Sequence, residues 1–111
     1  MPAIPELSPT EFRARWPVSR NQSDVVLLDV REPVELTLAA VEGVLHIPMG
    51  EIPSRVAELD RNTSVVVMCH GGTRSRRVAE FLAVNGFDRV FNLKGGIDAW
   101  SQEIDPRIPR Y

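Results

Sequence analysis

The chain has little cysteine, little lysine and no long apolar run. Its 111 residues hold one cysteine, Cys69, which excludes an internal disulfide and any multi-cysteine metal cluster. The longest unbroken apolar stretch is residues 65–69, far short of the roughly 20 residues that span a membrane. The opening residues, Met1-Pro2-Ala3-Ile4-Pro5-Glu6, form neither a basic segment nor an apolar core. No secretory signal is expected there, and the expected location is the cytoplasm. Neither G-x-x-x-x-G-K-[ST] nor G-x-G-x-x-G occurs, which removes the common nucleotide-binding loops. The serine elbow of a Ser-His-Asp hydrolase is missing as well.

What remains is an ordinary globular composition, with 43% hydrophobic and 25% charged residues. The length suits a single domain over residues 1–111. A net charge of −2 argues against nucleic acid or an anionic membrane as the main partner. Twelve arginines stand against one lysine, Lys94. Arginine makes fixed, directional contacts to anions better than lysine does, but much of such an excess is read first as a genome's coding bias.

The apolar patterning alternates strands with helices. Ser8, Pro9 and Glu11 open a first helix as N-cap, first helical residue and capping-box partner. Phe12 and Trp16 share a face of it, and Pro17 ends it. After a polar connection over residues 19–24, the run Val25-Val26-Leu27-Leu28 has strand length, and so does Val65-Val66-Val67-Met68. Neither run alternates apolar with polar, the pattern of strands buried on both faces. Short helices are expected at 33–39 and 52–59, with a brief strand at 44–47 between them. A longer helix is expected at 75–85, where Val78, Ala79, Leu82 and Ala83 fall at helical spacing. A last strand is expected at 90–93, followed by a helical turn containing Trp100. The expected fold is therefore α/β, a small parallel β-sheet with helices on both faces. In such sheets ligands bind beyond the carboxyl ends of the strands, at Asp29-Val30-Arg31 and at residues 69–75.

Cys69-His70-Gly71-Gly72-Thr73-Arg74-Ser75 joins a buried strand to an amphipathic helix. After Cys69 every residue is polar or glycine, and none is proline, so every backbone N–H can donate. Two glycines let the chain curl so that successive N–H groups point inward, and the following helix adds its positive end. Free cysteine is commonly a buried, inert residue, but here a sulfur sits at the mouth of an anion cradle. Helix N-termini and nearby arginine lower a thiol pKa from about 8.5; burial opposes them. Cys69 is expected to be a thiolate nucleophile at neutral pH.

This constellation resembles the rhodanese family, specifically its single-domain sulfurtransferases. Three segments carry the likeness: Leu28-Asp29-Val30-Arg31-Glu32-Pro33-Val34-Glu35, the loop from Cys69 to Arg74 followed by Ser75, and Val90-Phe91-Asn92-Leu93-Lys94-Gly95-Gly96-Ile97-Asp98-Ala99-Trp100. Gly43-Val44-Leu45-His46-Ile47-Pro48 matches the family's approach to a third strand. Where members commonly have a histidine shortly before that glycine, this chain has Ala40, a departure read as local packing.

The resemblance implies a loop at the end of a central strand, with Cys69 as catalytic nucleophile. His70, Gly71, Gly72, Thr73, Arg74 and Ser75 are the expected substrate-binding residues, and Asp29 and Arg31 the expected supports of the loop. Cys69 would take the outer sulfur of a small anionic donor such as thiosulfate. The persulfide would then be discharged to cyanide, a cellular thiol or a protein thiol. No metal and no organic cofactor is implied, and two histidines with one cysteine would bind a metal only if the fold gathered them. Related loops in dual-specificity cell-cycle phosphatases and certain arsenate reductases carry the arginine one residue later. Four residues separate Cys69 from Arg74 here, the spacing that suits a single sulfur. A phosphatase is thus the second reading, and a non-catalytic binding module of the same fold the third.

Overall fold

The computed structural model describes residues 3–17 and 24–111. The polar connection over 19–24 lies almost wholly outside the described residues. Five parallel strands form one sheet: β1 (Glu6–Leu7), β2 (Val25–Asp29), β3 (Leu45–His46), β4 (Ser64–Met68) and β5 (Val90–Leu93), in the order β1-β5-β4-β2-β3. The helices are α1 (Pro9–Arg15), α2 (Pro33–Leu36), α3 (Ile52–Arg55), α4 (Thr73–Val84) and α5 (Gly96–Glu103). The α/β expectation holds, and β4, which feeds the cysteine loop, is the middle strand.

Strand periodicity explains which way Cys69 faces. Side chains along a strand alternate between the two sides of the sheet. Val65, Val67 and Cys69 join one core with Val78, Ala79 and Leu82 of α4 and Ile52 of α3. Val66 and Met68 join the other, with Phe12 and Trp16 from the first helix region and Ile97 and Trp100 of α5. Residues 65–68 are wholly buried, as a strand covered on both faces must be. Two residues past Val67, Cys69 therefore turns toward the start of α4.

Local signals set several boundaries. The Ser8–Glu11 capping box forms as expected, with Glu11 N–H on Ser8 Oγ at 3.1 Å and Ser8 N–H on Glu11 Oε1 at 2.8 Å. The helix expected over 52–59 is instead one turn of α-helix followed by a 3-10 turn at 56–58. The helix expected from Ser75 begins at Thr73, because Gly72 makes the sharp turn out of the loop at φ +112°. Thr73, Arg74 and Ser75 thus form the first turn of α4. The strand β1 had no signal of its own: two residues pair Glu6 with Asn92 and Leu7 with Leu93.

Candidate active site

Cys69 sits one residue beyond the middle strand and is 1% exposed. Its Sγ accepts a hydrogen bond from Gly72 N–H at 3.0 Å and lies 3.3 Å from Ser75 Oγ. Burial pushes the thiol pKa up, and hydrogen bonding reverses it. The Ser75 hydroxyl and the backbone N–H groups of Ser75, Gly72 and Gly71 favour the thiolate, and the net direction is downward. The first N–H groups of a helix have no intrahelical partner, so a helix beginning at Thr73 can aim the Ser75 N–H at sulfur. The lowered pKa thus comes from directed donors, among which the Ser75 hydroxyl leads.

Ser75 is fully buried, and its single hydroxyl proton has two possible acceptors, Cys69 Sγ and Asn92 Oδ1. The orientation of the Asn92 amide is fixed independently. Its Nδ2 donates to Gly72 O at 3.0 Å and to Glu6 Oε2 at 2.9 Å, so its oxygen must face Ser75. A thiol can donate its own proton to Ser75 Oγ while Ser75 bonds Asn92. A thiolate draws the Ser75 proton to sulfur. Ser75 therefore acts on the Cys69 sulfur itself, while the Thr73 and Gly71 residues are exposed at the loop's rim.

Backbone contacts hold the base of the loop. Ile97 N–H donates to Cys69 O at 2.9 Å and Asp98 N–H to His70 O at 3.2 Å. This approach requires glycine at 96: a Cβ there would stand 2.4 Å from both of those carbonyl oxygens. The Gly95-Gly96 pair thus presses the start of α5 against the loop.

Asp29 and Arg31 form a wholly buried ion pair, Nη2 to Oδ2 at 2.8 Å. The five guanidinium N–H groups all find partners. Nε and Nη2 bond Asp29, Nη2 also reaches Ala39 O, and Nη1 meets Glu35 O and the Tyr111 hydroxyl. Burial lowers the Arg31 pKa, but the bonds to Asp29 and Tyr111 outweigh it and the guanidinium stays charged. The polar partners of Asp29 and Arg31 do not include Cys69; Asp29 ends the neighbouring strand, beside Met68. His46 supports the same corner, its Nε2 2.7 Å from Arg31 O.

Arg74, the last loop residue, is held by Glu35 through two hydrogen bonds of 2.7 and 2.9 Å. The Glu35 carboxylate also accepts from Glu32 N–H and from the Tyr111 hydroxyl. Arg74 chiefly, and then those two donors, hold the Glu35 carboxyl down at about 2 against the opposing effect of burial. The Tyr111 ring stacks on His70, centroids 4.1 Å apart and planes within 10°. Glu35, Asn92 and Tyr111 had no functional reading from sequence. Glu35 and Asn92 lie within the segments 28–35 and 90–100 but give no local sign of contacts 39 and 17 residues away. Among the described residues no group of three His, Cys, Asp or Glu side chains is placed to hold a metal, and no helix is long and apolar enough to cross a membrane.

The Rhodanese-like domain family model matches residues 17–103. The chain belongs to this family. It is 39% identical over 88 residues to a sulfurtransferase of Allochromatium vinosum, covering 79% of this chain and 82% of that one. It is 33% identical to a thiosulfate sulfurtransferase of Glaesserella parasuis, covering 77% and 78%. Other relatives are longer, and the chain spans about half of a putative sulfur carrier protein of Bacillus subtilis. A solved rhodanese-like domain protein of Staphylococcus aureus superposes with a TM-score of 0.80 at 27% identity, over 97% of this chain and 99% of its own. The rhodanese-like match ends at residue 103, so the segment that carries Tyr111 lies beyond it.

Proposed function

We propose that the protein is a sulfurtransferase that carries a sulfane sulfur on Cys69, taking it from thiosulfate or a similar small anion. The reading rests on one observation: a buried sulfur at the end of the middle strand, bonded by Gly72 N–H inside a loop that Arg74 closes. The names of the relatives agree with it.

In the first half-reaction the Cys69 thiolate attacks the outer sulfur of thiosulfate. A Cys69–sulfur bond forms, the donor's S–S bond breaks, and sulfite leaves with the electron pair. The terminal persulfide sulfur inherits the negative charge and meets the N–H groups turned into the loop, which stabilise it as an oxyanion hole stabilises oxygen. Arg74 spends two of its five N–H donors on Glu35 and is about one-third exposed. We assign its outer edge to the donor's sulfonate end. In the second half-reaction an acceptor attacks the terminal sulfur and releases the Cys69 thiolate. Cyanide would leave as thiocyanate; a cellular thiol or protein thiol would leave as a persulfide. The chain holds no second cysteine, so an external acceptor must discharge the enzyme. A free reactive thiol suits the reducing cytoplasm, where we place the protein.

Steady-state transfer from thiosulfate to cyanide tests the reading. Parallel double-reciprocal lines, the pattern of a covalent two-step exchange, are expected, and no turnover of a phosphate ester. Phosphate-ester hydrolysis through Cys69 without sulfur transfer would replace this reading with a phosphatase. Neither activity would leave a binding module.

A further inference from the structure

Beyond residue 103 the chain doubles back toward the cysteine loop. Asp105 N–H bonds Trp100 O at 3.1 Å, and Ser101 Oγ donates to Ile108 O at 2.6 Å. Ile108 packs on the core under α5, and Arg110 makes two bonds to Asp98 at 2.8 and 3.1 Å. These ties deliver Tyr111 to the loop. Its ring lies on His70, which follows the nucleophile, and its hydroxyl donates to Glu35 Oε1, whose carboxylate grips Arg74 at the other end of the loop. The same hydroxyl accepts from Arg31 Nη1 at 2.9 Å. One side chain therefore spans the loop from its second residue to its last and joins the buried Asp29–Arg31 pair to the Glu35–Arg74 pair.

We infer that Tyr111 is a specificity-determining residue of the sulfur-transfer site. Its ring, stacked on His70 next to Cys69, would wall one side of the approach to the sulfur, so that slim sulfur compounds pass and bulky ones are turned away. Its hydroxyl positions Arg74 through Glu35. The inference builds on the sulfurtransferase reading. Tyr111 itself lies outside the matched family region, and its two functions fall to different parts of one side chain. The ring screens by size; the hydroxyl orients the cation.

Two variants of the full chain separate these functions, Tyr111→Ala and Tyr111→Phe, each checked for native circular dichroism and melting. The first measurement needs no sulfur transfer: Cys69 alkylation by iodoacetamide and by a bulky N-aryl maleimide. Both reagents consume the same thiolate, so their rate ratio cancels any change in the thiolate fraction. Tyr111→Ala should raise the bulky-to-small ratio by about tenfold, the scale of a steric pocket discrimination, and Tyr111→Phe should restore the wild-type ratio. The second measurement is sulfur transfer. Tyr111→Phe should raise the thiosulfate KM by about threefold, about 0.7 kcal/mol in positioning, with a smaller effect on kcat. Tyr111→Ala should favour glutathione over cyanide as acceptor relative to wild type. An unchanged alkylation ratio in folded Tyr111→Ala overturns the inference even if sulfur transfer is robust. A shifted ratio in a protein that transfers no sulfur supports the wall and instead removes the sulfurtransferase reading.

Discussion

Glu35 and Arg74, 39 residues apart in sequence, face each other with both carboxylate oxygens engaged, at 2.7 and 2.9 Å. The pair sets the charge and aim of the loop's last side chain. Lysine keeps the charge but lacks the planar fork, so it cannot hold both oxygens and still present an edge to a donor. Arg74→Lys should raise the thiosulfate KM by about tenfold, or about 1.4 kcal/mol, with a smaller effect on kcat. Initial rates across thiosulfate concentration measure this.

The same pair makes a pH prediction with a definite sign. Glu35 has its pKa depressed to about 2. The stabilisation it supplies is therefore full above the ordinary carboxylate range and is lost as pH falls toward 2. NMR titration of the Glu35 side-chain carboxyl should show its midpoint near 2. In Arg74→Lys, where the leading cause of the depression is weakened, the midpoint should rise toward 4.5.

Ser75→Ala removes the hydroxyl that does most to hold the Cys69 thiol pKa down. The pH profile of iodoacetamide alkylation should shift upward in this variant, so that less thiolate is present at neutral pH and the rate there falls. In the thiol form Asn92 Oδ1 also loses its partner in a buried site, at a cost of about 1–3 kcal/mol, which denaturant unfolding below the thiol pKa reads out. A wild-type inflection at or above that of an ordinary thiol would contradict the hydrogen-bonding account.

Removing one member of a buried ion pair strands the other charge. Asp29→Asn leaves the Arg31 guanidinium without its counter-ion where neither side chain sees water, and should cost about 3–5 kcal/mol in urea unfolding. Gly96→Ala should be comparably damaging, at about 3 kcal/mol or more, because its Cβ would meet the Cys69 and His70 carbonyls. Gly71→Ala is the control: nothing lies within 4 Å of a Cβ there, and its stability should stay within about 0.5 kcal/mol of wild type.

Much of this arrangement is legible in sequence, because it is local. The apolar runs at 25–28 and 65–68 locate two of the three inner strands, β2 and β4, and Ser8 with Glu11 locates a helix start. The polar, glycine-bearing segment after Cys69 marks a loop able to turn its N–H groups inward. The remainder depends on contacts between distant segments. No periodicity marks β1, whose two residues gain strand geometry only by pairing with β5. The sequence leads to a lowered Cys69 pKa through inward-turned N–H groups, the helix end and Arg74; the donors of Ser75, Gly72 and Gly71 lower it most, and the leading one, the Ser75 hydroxyl, has no local sequence signal. The need for glycine at 96 arises from carbonyls 26 and 27 residues earlier in the chain, which no local pattern announces.

A sulfurtransferase of this kind must carry sulfur on Cys69 as a persulfide. Intact-mass spectrometry after brief exposure to thiosulfate tests it most directly, with cyanide added afterwards. Wild-type protein should gain the mass of one sulfur atom and lose it again to cyanide, while Cys69→Ser gains nothing. A folded wild-type protein that stays at its unmodified mass with thiosulfate and with low-molecular-weight persulfide donors alike would contradict the account.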